Sequence, residues 1–132
     1  MWQNLSFLGY VGNEPEQKFL PSGDGLLTLS VATNRSWKPK DSEEWKTETT
    51  WFRVVIWGKS SEYLAERLHK GMLVLVSGEL VPDENGGPKI WTGKDGTPHA
   101  SFEVKARTIK IAEKKSKGEP TESTEAVTDL EM

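Results

Sequence analysis

An all-β fold is predicted from three features of this sequence. Apolar residues alternate with polar ones at the two-residue period of a strand, a single segment carries helical spacing, and turn residues separate the apolar runs. Five main strand segments with one short helix between the third and fourth are the layout of a five-stranded OB-fold barrel. That body spans residues 1–112. The remainder, 113–132, "EKKSKGEPTESTEAVTDLEM", has no aromatic residue and no apolar period. It buries too little to offset the entropy of ordering, so a disordered acidic tail is expected there.

The elements follow in chain order. "LSFLGYVG" is apolar but interrupted by Gly9 and Gly12, the mark of a bent or bulged strand. "PSGDG" is a turn. "LLTLSVATN" puts Leu27, Leu29 and Val31 on one face and Thr28, Ser30 and Ala32 on the other. "KPKDSEEWK" is a polar loop and "TWFRVVIWG" a strand. "SSEYLAERLHKG" is the helix: Ser60 or Ser61 can cap it, Leu64, Ala65 and Leu68 form its apolar stripe, and Gly71 can end it. "MLVLVSGEL" is a buried strand. "VPDENGGPKIWTGKDGTP" is turn-rich, with a hairpin expected at Asp95-Gly96. In "SFEVKARTIKI" the apolar parity changes between Ala106 and Ile109, which predicts a bulge near Thr108.

Composition narrows the function. No apolar run approaches the roughly 20 residues of a membrane helix, and no basic leader with an apolar block opens the chain. Cysteine is absent, which removes disulfides and thiolate metal sites. These features point to a cytoplasmic protein with no membrane partner. The net charge of −3 lies wholly in the tail, because residues 1–112 hold fourteen basic and fourteen acidic side chains. A neutral body can still present a basic face to a polyanion.

The segment "TWFRVVIWGK" carries the chemistry. Phe52, Val54 and Ile56 form an apolar face suited to the core. Trp51, Arg53, Val55 and Trp57 form the other, with Lys59 following. Flat aromatics beside cations match unpaired nucleic acid, whose bases stack and whose phosphates need positive charge. Loops repeat the pattern: Trp37 lies among Arg35, Lys38 and Lys40, Trp45 precedes Lys46, and Trp91 lies between Lys89 and Lys94. Each tryptophan alone reads equally well as a half-buried surface aromatic, Trp57 most readily, and Trp2 is assigned to structure. The joint pattern favours single-stranded nucleic acid.

From "FLGYVGNEPEQKFLPSG" through "LSVATNRSW", "TTWFRVVIWGKSSEYLAERLHKG", "VLVSGEL" and "FEV", the chain resembles the bacterial and phage type of single-stranded DNA-binding protein (SSB). The resemblance implies a homotetramer that wraps single-stranded DNA without catalysis, in replication, recombination and repair, in the nucleoid. It implies stacking by Trp37, Trp51, Trp57 and Trp91, and phosphate contacts from Lys40, Lys46, Arg53, Lys59 and Lys70. Phe52 stands where the family often has a histidine at a subunit contact. The tail closes on Asp129, Leu130, Glu131 and Met132 instead of the acidic Pro-Phe tip through which cellular members recruit replication and repair proteins. A phage- or plasmid-encoded specialised member fits that ending.

No catalytic residue, cofactor or metal is expected. His69 and His99 lack ligand spacing, and His69 reads as closing the last helical turn. "GGPK" and "GKDG" lack the strand–loop–helix setting of a phosphate loop. A second reading is an OB-type interaction module for structured RNA or protein. Sequence-tolerant binding to oligo(dT) discriminates the two.

Overall fold

The computed structural model describes residues 1–113 of the chain. The tail residues Asp129, Leu130, Glu131 and Met132 lie outside the described residues. The described residues form seven strands and one helix: β1 (Leu5–Val11), β2 (Glu16–Phe19), β3 (Gly25–Trp37), β4 (Lys46–Trp57), α1 (Lys59–Ala65), β5 (Leu73–Leu80), β6 (Lys89–Thr92) and β7 (Pro98–Glu113). Among the described residues no helix is long and apolar enough to cross a membrane.

The five longer strands close on themselves in the order β1-β5-β7-β4-β3 and back to β1, which is the five-stranded OB-fold barrel. Closure depends on β1, which pairs with β5 from Leu5 to Tyr10 and with β3 at Tyr10 and Val11. The bend expected in the first strand is this change of partner. The contact between β4 and β7 is parallel, with Arg53 opposite Glu103. The other pairings are antiparallel.

The core is the set of inward positions of these strands. Leu27, Leu29, Val31, Val54, Ile56, Val74, Val76 and Val104 are each at most 3 % exposed. Small branched side chains of this kind fill a narrow barrel without voids. Leu64 and Leu68 join them from α1 and the turn behind it, as the apolar stripe predicts. The bulge expected near Thr108 is present: Ser77 faces Thr108 while Gly78 faces Ala106, so Arg107 is the extra residue.

Three expectations about the helix are corrected: its range, its serine cap and the role of His69. The helix begins at Lys59 and ends at Ala65, short of the range the sequence suggests, and no serine caps it. Gly58 occupies the cap with φ +79, a left-handed backbone that turns β4 directly into α1. The Ser61 hydroxyl instead donates to the Gly58 carbonyl at 2.6 Å. His69 does not close the helix: its Nδ1 lies 3.4 Å from Oε2 of Glu14, across the turn that follows β1. One strand has no counterpart in the sequence reading: "EQKF" forms the edge strand β2 although all four residues are exposed. It is held by pairing to β3, not by burial.

Candidate nucleic-acid interface

β3 and β4 continue well past the barrel as a two-stranded ribbon. Their register is unbroken from Leu26 opposite Trp57 to Trp37 opposite Lys46. Threonine, serine and asparagine hold the far end: Thr49 donates to Asn34 at 2.8 Å, and the Ser36 and Thr47 hydroxyls lie 3.1 Å apart.

On the barrel, the outer face of β4 carries Trp51, Arg53 and Trp57, as parity predicts. Trp51 is 54 % and Trp57 41 % exposed. Val55 shares that face yet is 8 % exposed, a short side chain between cross-strand neighbours Thr28 and Lys105. Exposed indoles and a guanidinium in one row leave flat apolar surface beside positive charge. Trp51 rests on Gly12: a β-carbon there would lie 2.8 Å from its Cη2 and nearer still to Cζ3. The loop after β1 is tied to the same face, because Asn13 accepts from the backbone and hydroxyl of Ser30 at 3.0 and 2.9 Å.

Beside this row lies a groove of about 1000 Å³, lined by Arg53, Lys89, Trp91, Ser101 and Glu103 among others. The β6–β7 hairpin forms its far wall and presents Trp91, 51 % exposed, whose ring stacks on His99 at 5.5 Å. The hairpin turn is at Asp95-Gly96, where the sequence places it. Asp95 accepts from the Thr97 backbone at 3.0 Å. That bond, with a second from the Thr97 side chain, holds the Asp95 carboxyl below the usual carboxylate range.

The other predicted residues are dispersed. Trp37 and Lys46 are cross-strand partners near the ribbon tip, with Arg35 over the Trp37 ring at 5.1 Å. By strand alternation both have the parity of Phe52 and Val54, so they sit on the opposite face of the ribbon from Trp51. Lys40 is in the loop that joins the two strands. Lys59 opens α1 beyond Trp57. Lys70 lies in the turn beside the end of β1, where its N–H donates to Glu14 at 3.2 Å and the next residue, Gly71, bonds to Val11. Phe52 packs inside the chain, its ring stacked on Phe7 at 4.1 Å and tilted toward Phe102 at 6.0 Å. Trp2, read as structural, is 81 % exposed.

The sequence reading gave neither Glu103 nor His99 a place in this interface. Glu103 stands opposite Arg53 through a parallel pairing between residues fifty positions apart, which local pattern does not reveal. For His99 a signal exists, since it lies across the predicted hairpin turn from Trp91.

A closed OB-fold barrel with an aromatic and cationic sheet face is the class of protein that fold and site define. Within that class the chain belongs to the single-strand binding protein family, whose model matches residues 2–112. Among solved structures it is similar to a Plasmodium falciparum SSB in complex with ssDNA, at 27 % identity and a TM-score of 0.68, covering 86 % of this chain and 97 % of that one. It shares the fold of a small single-stranded DNA-binding protein from Streptomyces coelicolor, at 18 % identity and a TM-score of 0.64, covering 83 % and 93 %.

Proposed function

We propose that this protein binds single-stranded DNA with little regard to sequence, and protects it during replication, recombination and repair. The observation that carries the reading is the row Trp51–Arg53–Trp57 exposed on the outer face of β4, in a chain of this family. Bases stack on the indoles, at roughly 1–3 kcal/mol per base, and phosphates follow the cations. Trp91 continues the path across the groove. Trp37 takes a further base on the other face of the ribbon. Lys40, Lys46, Arg53, Lys59 and Lys70 supply the charge. The similarity to a chain solved with ssDNA supports the choice of ligand.

The reading extends to a cytoplasmic homotetramer without catalytic activity. Residues 1–112 are the binding unit, Phe52 lies near a subunit contact, and the acidic tail meets replication and repair proteins. The apolar side chains left outside the core support self-association: Phe102 is 55 %, Leu80 46 % and Ile90 65 % exposed.

Titration of intrinsic fluorescence with oligo(dT) at two salt concentrations tests the proposal. Strong quenching, weaker affinity at the higher salt and far weaker binding of duplex of equal length are expected. Equal affinity for duplex overturns it.

A further inference from the structure

Glu103 stands between two cations that come from different strands. Its Oε1 is 3.5 Å from Nε of Arg53 on β4, and its Oε2 is 2.6 Å from Nζ of Lys89 on β6. The carboxylate side chain is 11 % exposed, against 60 % for Arg53 and 45 % for Lys89. Oε2 is buried and accepts no directed hydrogen bond, so its link to Lys89 is charge to charge. All three residues line the groove next to Trp91.

The two cations are held differently. Arg53 meets Glu103 through Nε as an ion pair at 3.5 Å, and a guanidinium has four further N–H donors on its two terminal nitrogens. Those point to no other acidic side chain among the described residues. Lys89 has a single charged nitrogen, and that nitrogen is against the carboxylate. Asp83 and Glu84 also line the groove, so it holds two cations and three acids, and among the described residues Glu103 is the one of those acids within ion-pair distance of Arg53 or Lys89.

We propose that Glu103 sets how many phosphates this groove neutralises: it withholds Lys89 and leaves the outer nitrogens of Arg53 as the phosphate contact. The inference rests on the reading that single-stranded DNA crosses this face. It assigns a role to an acidic residue in a site otherwise described by its aromatics and cations. A carboxylate under the cations limits the affinity of the groove and its sensitivity to salt, and so favours release of the strand.

The test measures oligo(dT) affinity across a salt series for wild type, Glu103→Gln and Lys89→Gln, with a melting curve for each. For single strands, log K falls against log salt with a slope of about 0.7 per phosphate neutralised. Glu103→Gln is expected to tighten binding at low salt and to steepen the slope by up to about 0.7. Lys89→Gln leaves Glu103 facing Arg53 alone, and is expected to flatten the slope by a similar amount. The double variant should return to the wild-type slope. If Glu103→Gln retains its melting temperature and its slope is unchanged or shallower, the proposal is wrong and Glu103 only braces the hairpin. If Glu103→Gln does not fold, Lys89→Gln decides: its lysine is half exposed, and an unmoved slope overturns the assignment. Wild-type protein that binds oligo(dT) while neither variant shifts the slope removes this inference and leaves the function standing. Wild-type protein that does not bind removes both.

Discussion

Gly12 and Trp51 form one packing unit: the six-membered ring of the tryptophan occupies the space that a side chain on the glycine would fill. The turn after β1 thereby fixes the tilt of an indole that is otherwise half open to solvent. Gly12→Ala is expected to displace that ring and weaken oligo(dT) binding by part of the roughly 1–3 kcal/mol that one stacked base contributes. The melting temperature should move little, because the ring buries little in the core. Unchanged affinity with an unchanged tryptophan emission maximum would show that the indole is placed by something else.

Adjacent positions on β4 should fail in opposite ways. Trp51→Ala is expected to cost roughly 1–3 kcal/mol of binding and little stability. Phe52→Ala removes the ring stacked on Phe7, and its main loss should be in folding, up to about 3–5 kcal/mol, the range for a large aromatic truncated in a core. Melting curves and oligo(dT) titrations on both variants separate the effects. A Trp51→Ala protein that unfolds while the Phe52→Ala protein stays stable and binds poorly inverts the two faces.

Trp91 reaches the groove from a separate hairpin, so its loss should be local. Trp91→Ala is expected to weaken binding by roughly 1–3 kcal/mol and leave the salt slope as it was, because a base contact is removed and no cation. The salt series that tests Glu103 serves here as well. A slope that moves with Trp91→Ala means that the hairpin shifts its charges when it loses the ring.

The acidic tail gives a fourth expectation, drawn from sequence alone because it lies outside the described residues. From Gly118 onward there are five acids and no lysine or arginine. Tethered to the barrel, they are present near its cations at an effective concentration that can reach the millimolar range. Deleting 118–132 should tighten oligo(dT) binding at low salt, with the gain fading near physiological ionic strength. Truncation that weakens binding, or changes nothing at low salt, assigns the tail to another partner.

Much of the barrel was legible because a strand with one buried face writes its period into the sequence. Leu27, Leu29 and Val31 could be read directly, and so could the change of parity that places the bulge near Thr108. β2 was not legible, since four exposed residues paired to an edge carry no apolar signature. The outer row of β4 was found by counting twos. The same counting also sends Trp37 and Lys46 to the other face of the ribbon, but only once β3 and β4 are known to run on in register through polar residues. What remained hidden were the partners of those residues: Gly12 beneath Trp51 and Glu103 beside Arg53 meet through long-range pairing.

The ribbon of β3 and β4 has a topological consequence for any filament bound along it. Trp51 and Lys46 are five residues apart on β4, about 17 Å at the rise of an extended strand, and on opposite sides. A nucleic acid cannot join them by lying straight; it must pass around an edge, as thread passes over the rim of a spool. Oligonucleotides too short to make that detour engage one side only, so affinity plotted against length should climb in two stages with a plateau between them. The length at which the second stage begins measures the girth of the arm.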